Sequence, residues 1–183
     1  MSSVRPIVLV VLAGLPATGK STIARELAAL TKAPLFDKDR VREALFGPHH
    51  VAYTREQDDF VVKLLYQAVE ELARGGGVPL VILDGRTYSR RYQANELRAL
   101  ATRLSAELVL VECVASREAV RERLELDLRA GSHPARDRTY ERWVELEAAS
   151  DALDGVALRL DTSRHSLTEC IQAIRAELAR RGA

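Results

Sequence analysis

Short apolar runs alternate along the chain with longer segments in which apolar residues recur at helical spacing. Five of the short runs are rich in apolar residues, which is typical of strands buried on both faces of a parallel sheet. The strands predicted from these runs cover Ile7–Ala13, Pro34–Asp37, Pro79–Asp84, Leu108–Val114 and Val156–Leu160.

The helical segments fill the intervals between these strands, and Gly or Pro residues end several of them. The predicted helices cover Ser21–Leu30, Arg40–Phe46, Arg55–Arg74, Ser89–Leu104, Arg117–Arg129, Asp137–Ala149 and Ser166–Arg180. The apolar stripe of the first helix includes Leu30, and that of the third includes Phe60. The alternation predicts an α/β fold, a three-layer sandwich in which a five-stranded parallel sheet has helices on both faces.

Composition adds limits to this picture. The 183 residues are 47% apolar and 29% charged, which fits one ordinary domain over residues 1–183. No apolar run approaches the roughly 18 residues of a membrane-spanning helix. The net charge of +1 is small for a nucleic-acid binder, and Cys113 and Cys170 form neither a disulfide framework nor a metal motif. We expect a cytoplasmic monomer or homodimer.

The first predicted strand leads into a phosphate-loop motif. Gly14–Ser21 match G-x-x-x-x-G-K-[ST], with a buried strand before the motif and an amphipathic helix after it. Backbone N–H groups at the start of that helix form a site for anions, Lys20 adds a mobile positive charge, and the Ser21 hydroxyl suits Mg²⁺. The motif therefore predicts binding of ATP, or another NTP, with Mg²⁺. The residues predicted to bind the nucleotide are Gly14, Pro16, Ala17, Thr18, Gly19, Lys20, Ser21 and Thr22.

Carboxylates and arginines follow the second and third strands, where parallel sheets bind ligands. Asp39 could accept the proton of an acceptor hydroxyl, and Arg42 could hold an anionic or polar acceptor group. One of Asp37 and Asp39 is expected to cap the next helix, which leaves the other for chemistry. Asp84 either faces Mg²⁺ through water, contacts the acceptor or forms an Asx turn. The predicted acceptor site comprises Asp37, Asp39, Arg42, Asp84 and Arg86, and the predicted metal site Ser21 and Asp84.

Arginines crowd a segment of about residues 117–142, on both sides of a Gly-Ser-His-Pro break. They are Arg117, Arg121, Arg123, Arg129, Arg136, Arg138 and Arg142. Pairs with acidic residues four positions away would support an exposed helix. Alternatively the segment is an Arg-rich lid that neutralises phosphate charge and excludes water. Beyond the fifth strand, the loop with Thr162 either contacts the nucleotide base or simply caps the last helix.

Together these motifs resemble the small P-loop kinase family of polynucleotide 5′-hydroxyl kinases, chloramphenicol 3-O-phosphotransferase, gluconate kinase and adenylylsulfate kinase. The resemblance runs from about Ile7 to Ile174. It rests on Gly14–Thr22, Asp39–Arg42, Val81–Asp84, Glu118–Leu124 with Arg129, and Leu160–Ser163.

The resemblance implies a P-loop NTPase fold like that of nucleoside-monophosphate kinases, and transfer of the γ-phosphoryl group of ATP to a hydroxyl. It implies that Asp39 is the base or the residue that orients the hydroxyl, and that Arg42 contacts the acceptor. It also implies that Arg123 and Arg129 are the lid arginines and that the loop with Thr162 lies near adenine. Ala17 departs from the family, because many relatives carry Gly there. Alanine is expected to be tolerated unless φ is positive at this position.

The leading hypothesis is a kinase of a small-molecule hydroxyl acceptor, a metabolite or an antibiotic, with Lys20, Asp39, Arg123 and Arg129 as its catalytic residues. One alternative keeps the chemistry and takes the 5′-hydroxyl of DNA or RNA as the acceptor. Another is an ATP-binding regulatory module without transferase activity. The segment Phe46–Asp59 is expected to line the acceptor pocket, although it contains no interpretable motif.

Overall fold

The computed structural model describes residues 6–130 and 139–182. Its strands are β1 (Val8–Ala13), β2 (Leu35–Asp37), β3 (Leu80–Asp84), β4 (Glu107–Val114) and β5 (Leu158–Asp161). All neighbouring strands are parallel, in the order β2-β3-β1-β4-β5. The predicted five-stranded parallel sheet is confirmed. β1 is its central strand, so the phosphate loop that follows β1 leaves the middle of the sheet.

Seven helices are described around this sheet. They are α1 (Lys20–Thr31), α2 (Lys38–Phe46), α3 (Arg55–Gly75), α4 (Arg91–Arg103), α5 (Arg117–Ala130), α6 (Tyr140–Ala148) and α7 (Leu167–Arg180). Within the described residues, none of them combines the length and the apolarity that crossing a bilayer requires.

The helices form one layer on each face of the sheet. Successive side chains of a strand point to opposite faces, and in β1 Val8 and Val10 pack with α1 and α7, whereas Leu9 and Val11 pack with α3 and α4. Every residue of β1 is buried. The three-layer α/β sandwich predicted from the sequence is therefore confirmed.

A third, smaller apolar cluster joins α5 and α6 to the phosphate loop. Val120 and Leu124 of α5 and Trp143 of α6 are buried together, and Leu15 and Ala17 of the loop pack against them. The helix pair of the predicted lid thus rests directly on the loop. Residues 131–138 of that lid, with Arg136, Arg138 and the predicted helix start at Asp137, lie outside the described residues.

Two apolar residues lie elsewhere than the helical stripes predict. Leu30 is 53% exposed and Phe60 is 50% exposed. The buried face of α3 starts one position later, at Val61 and Val62, and Phe60 instead contacts Phe46 of α2, with ring centroids 6.1 Å apart. The predicted stripe of α3 was wrong because apolar residues occupy adjacent positions of the sequence. They allow two apolar stripes along the helix, which differ by one residue.

Candidate active site

The phosphate loop ends in a left-handed glycine that starts α1. Gly19 has φ 85° and is the residue before the first turn of the helix. A Cβ atom at Gly19 would lie 3.3 Å from the side chain of Thr162, so a glycine fits this position on both backbone and steric grounds. The next residue, Lys20, is buried and its Nζ donates to the Leu15 carbonyl at 2.7 Å.

Four consecutive carbonyls of the loop, those of residues 15–18, each accept a hydrogen bond from a side chain. The donors are Thr18 and Lys20 to Leu15, Trp143 to Pro16 at 3.1 Å, Arg123 to Ala17 at 3.0 Å, and Thr162 to Thr18 at 3.1 Å. In a trans peptide the carbonyl and the following N–H point in opposite directions. Holding these carbonyls therefore fixes the opposite direction for the N–H groups of residues 17–19, which the motif needs for binding phosphate.

Ala17 has a left-handed backbone. Its φ is 62°, which is the condition under which alanine was not expected to be tolerated freely. An alanine in this conformation costs roughly 1 kcal/mol or more relative to glycine. Its methyl group packs against the cluster of Val120, Leu124 and Trp143, and this burial offsets part of the cost.

The structure separates the two arginines predicted to be catalytic. Arg123 lies at the loop, where its guanidinium donates to Ala17 O, to Thr162 Oγ1 at 2.9 Å and to Thr162 O at 2.8 Å. Arg129 is the last residue but one of α5, its side chain is 76% exposed, and its nearest carboxylate is that of Glu125 at 3.7 Å. The structure brings Arg123 and Thr162 to the phosphate loop and leaves Arg129 in solvent.

Of the two carboxylates that follow β2, one caps the next helix and the other does not, as predicted. The Asp37 side chain accepts from the backbone N–H groups of Asp39 and Arg40, at 3.0 and 3.2 Å, and so caps α2. The side chain of Asp39 is 41% exposed, with Arg42 Nη1 at 3.1 Å and Lys38 Nζ at 3.6 Å. Asp39 is therefore the carboxylate that remains accessible, beside two cations.

Asp58 is a residue of this site that the sequence did not single out. It lies in the first turn of α3, where it accepts from Lys38 Nζ at 2.8 Å and is ion-paired with the buried Arg42. The Tyr53 ring lies 5.1 Å from the Arg42 guanidinium. Burial lowers the pKa of Lys38 to about 8, against the raising effect of Asp39. Asp58 thus fixes both cations beside Asp39. The only feature of the sequence that could have pointed to it is its position, three residues before the apolar face of α3 begins at Val61.

Asp84 is a buried carboxylate beside the loop. It is 4% exposed, and neither of its side-chain oxygens has a hydrogen-bond partner among the described residues. Burial raises its pKa, while the charge of Lys20 and the Ser21 hydroxyl act to lower it. Its neighbour across the sheet is Asp37.

An unsatisfied carboxylate next to a serine hydroxyl fits Mg²⁺, a hard cation that prefers oxygen ligands. Ser21 and Asp84 are the residues that would hold the ion, Asp84 directly or through water. These two are the predicted metal residues, and the structure brings them together.

Two of the cavities that open beside the loop share part of their lining. The larger, called the loop cavity, has a volume of about 750 Å³ and is lined by Gly19, Thr22, Arg123 and Thr162 among others. The smaller, called the side cavity, has a volume of about 370 Å³ and extends between the starts of α2, α3, α4 and α6. The residues that line both cavities are Lys20, Ser21, Asp39 and Tyr53. The cavities therefore meet at the phosphate-loop lysine and the accessible carboxylate.

Arg86, predicted to bind the acceptor, lines neither of these two cavities. It is buried, with ion pairs to Asp59 at 2.6 Å and Glu96 at 2.9 Å, and it lies near the rings of Tyr88 and Tyr92. Its role is to tie the end of β3 to α3 and α4, because a buried guanidinium needs carboxylate partners.

The strand order, the phosphate loop and the paired cavities define a P-loop kinase fold, as predicted. Over 95% of this chain, the fold matches all of a Chloroflexus aurantiacus protein assigned as a kinase, with a TM-score of 0.74 and 23% identity. It also matches the APS kinase of Mycobacterium tuberculosis in complex with AMPPNP and APS (TM-score 0.69, 18% identity, 96% of this chain and 99% of that one). For a gluconokinase of Sinorhizobium meliloti 1021 the TM-score is 0.65, with 20% identity over 96% of this chain and 93% of that one.

The profile of the AAA domain family matches residues 9–146, and the chain belongs to this family. A curated relative, shikimate kinase of Clostridium botulinum (strain Okra / Type B1), is 32% identical in an alignment of 80 residues that covers 39% of this chain and 47% of the relative. The match thus spans about half the length of that relative.

Proposed function

We propose that the protein is a kinase that uses ATP and Mg²⁺ to phosphorylate a hydroxyl group of a small molecule. The observation that carries the proposal is the meeting of the two cavities at Lys20, Ser21 and Asp39. Phosphoryl transfer needs a nucleotide site and an acceptor site that open onto the same point. The loop cavity is the nucleotide site in this proposal, and the side cavity is the acceptor site.

The chemistry follows from the residues at the junction. The oxygen of the acceptor hydroxyl forms a bond to the γ-phosphorus of ATP, the bond from that phosphorus to the β–γ bridging oxygen breaks, and ADP leaves. The hydroxyl proton passes to the Asp39 carboxylate. The loop N–H groups and Lys20 stabilise the charge on the transferring group. Mg²⁺, when bound by Ser21 and Asp84, neutralises phosphate charge.

The names of the relatives support a small-molecule acceptor. The curated relatives include a shikimate kinase, and the fold neighbours include a gluconokinase. The side cavity, at about 370 Å³, is within the range of small-molecule sites. The alternative is a polynucleotide 5′-hydroxyl kinase, which takes a much larger acceptor, and the screen described below tests it.

The proposal is tested by a coupled assay of ADP formation over hydroxylated metabolites, antibiotics and oligonucleotides. With the acceptor found, Asp39→Asn is expected to lower kcat by about 100-fold or more, because the base is lost. The affinity for ATP should change little, since Asp39 takes no part in the hydrogen bonds that hold the loop carbonyls. Lys20→Ala should lower kcat by a similar factor of about 100 or more. Glu71→Gln, at an exposed ion pair of α3, is the control and should retain full activity.

Comparable turnover by Asp39→Asn would remove Asp39 from the mechanism. Labelling of oligonucleotide ends alone would select the polynucleotide alternative. Tight ATP binding without transfer to any acceptor would select the regulatory module.

A further inference from the structure

The side cavity has an excess of positive charge that the loop cavity lacks. Six cationic side chains and two carboxylates line the side cavity. The loop cavity is balanced, with four cationic side chains and four carboxylates. The loop cavity, which is proposed to bind the polyanionic nucleotide, is thus the one whose side-chain charges balance, apart from the N–H groups of the phosphate loop. The charge of the side cavity requires another explanation.

Most of the six cations already have partners. Lys38 and Arg42 are paired with Asp58 and Asp39. Arg142 is paired with Glu145, at 2.7 Å. Lys20 belongs to the phosphate loop, where it contacts the Leu15 carbonyl.

Arg55 and Arg90 remain. Among the residues that the structure describes, neither has a carboxylate within ion-pair distance, and the guanidinium of Arg90 donates only to the carbonyl of Ala149. They belong to different walls of the cavity, because Arg55 is the first residue of α3 and Arg90 is the residue before α4.

The backbone adds to this positive potential. The helices α2, α3, α4 and α6 all begin at the side cavity, which is lined by Lys38, Thr54, Arg90 and Thr139 at their starts. The N-terminus of a helix carries a partial positive charge that favours an anion close to it. Two arginines without carboxylate partners and four helix starts therefore act on one small volume.

We infer that the acceptor is an anion, a hydroxy compound that carries a carboxylate or phosphate group. This inference rests on the proposed function, which takes the side cavity as the acceptor site. Arg55 and Arg90 bind the anionic group, since a guanidinium presents a planar pair of donors that match carboxylate and phosphate oxygens. The hydroxyl of the same molecule lies at the other end of the cavity, at Asp39. The two arginines set specificity and take no part in the transfer.

The chain contains a reporter for binding at this site. Trp143 is its single tryptophan, and it is buried in the wall of the side cavity. We suggest titrating the protein, with AMPPNP and Mg²⁺ present, and following tryptophan fluorescence. The ligands are matched pairs: gluconate against glucitol for the carboxylate, and glycerol 3-phosphate against glycerol for the phosphate. The pairs distinguish the two anionic groups.

The anionic member of at least one pair is expected to bind about tenfold or more tightly than its neutral partner, because charge-assisted hydrogen bonds are lost in the neutral one. The double variant Arg55→Gln/Arg90→Gln should lose that preference. Arg103→Gln, at an exposed ion pair with Glu70, is the matched control and should retain it.

Equal binding of both members, no saturable binding of any anionic member, or an unchanged preference in the double variant would overturn the inference. ADP formation is measured on the same compounds, so the two proposals fail separately. Transfer to neutral alcohols alone overturns the anionic acceptor and leaves the kinase. An arginine-dependent preference for anions without ADP formation supports the anion site and argues against the kinase.

Discussion

Gly14 shows how closely the phosphate loop approaches its neighbours. It is the first residue after β1, its φ is 133°, and its N–H donates to the Thr87 carbonyl at 3.1 Å. A Cβ atom at this position would lie 2.2 Å from the Cys113 carbonyl oxygen of β4. Both the backbone conformation and the adjacent strand therefore exclude any side chain.

Replacing Gly14 by alanine is expected to lower the free energy of unfolding by about 3 kcal/mol or more, from steric overlap and backbone strain together. AMPPNP binding should fall with it, because the loop must move away from β4. Urea unfolding and calorimetry measure the two effects. Gly76→Ala is the matched control: Gly76 also has a positive φ, of 68°, but nothing lies within 4 Å of its added Cβ. Its loss should be about 1 kcal/mol, and equal losses at the two positions would contradict the argument.

At the scale of elements, α6 acts on the loop through one hydrogen bond. Trp143 donates from Nε1 to the Pro16 carbonyl, while its ring packs with Val120 and Leu124 of α5. Arg117 and Arg121 join the helices further, through Glu147 and the Tyr140 ring. The helix pair is therefore a support for the loop as well as a wall of the side cavity.

Trp143→Phe separates this hydrogen bond from the packing of the ring. We expect the affinity for ATP with Mg²⁺ to fall about 3- to 10-fold, because one loop carbonyl loses its donor, and stability to fall by about 1 kcal/mol. Isothermal titration calorimetry measures the affinity without the tryptophan signal. Tyr140→Phe, which preserves the ring stacked 6.1 Å from Trp143, should bind ATP as the wild type does. An unchanged affinity in Trp143→Phe would show that the carbonyl needs no donor.

The elements themselves were predictable because each carries a local signal. Buried parallel strands are apolar throughout, and the phosphate-loop motif fixes the first turn between strand and helix. What the sequence left open depends on partners that are distant along the chain. Asp58 and Trp143 gained their importance from contacts with Arg42 and Pro16, and Arg86 was displaced from the predicted site by carboxylates on α3 and α4. No spacing within a segment encodes such pairings.

At the scale of the whole molecule, Asp84 links the free energy of unfolding to the proposed binding of Mg²⁺. A buried carboxylate without hydrogen-bond partners destabilises the folded state. Because burial raises the pKa of Asp84 above its ordinary value of 3.8, the unfolded chain ionises first as the pH rises. The stability that this group contributes is therefore lost as the pH rises from 3.8 through its raised pKa in the folded state.

Asp84→Asn is expected to raise the free energy of unfolding of the nucleotide-free protein by about 1 kcal/mol at neutral pH, or the Tm by about 2–4 °C. The gain should shrink as the pH falls toward the ordinary carboxyl pKa of 3.8. The Mg²⁺ dependence of nucleotide binding should be lost at the same time. Thermal unfolding over a pH series and nucleotide titrations with and without Mg²⁺ measure these effects, with Asp154→Asn as an exposed control. A variant that is less stable at neutral pH, or that still needs Mg²⁺, would contradict this account.

The donors that hold the loop carbonyls also have a consequence for biosynthesis. Arg123, Trp143 and Thr162 follow their acceptors by 106, 127 and 144 residues along the chain. A ribosome that adds about 5–20 residues per second needs roughly 5 to 30 seconds to cover that interval. The phosphate-loop motif is thus translated early but gains its supports late. A nucleotide bound at this loop is therefore expected to stabilise the nascent chain only after β5 has emerged. In the proposed function, ATP would act as a ligand of the finished fold and give no help to its first half.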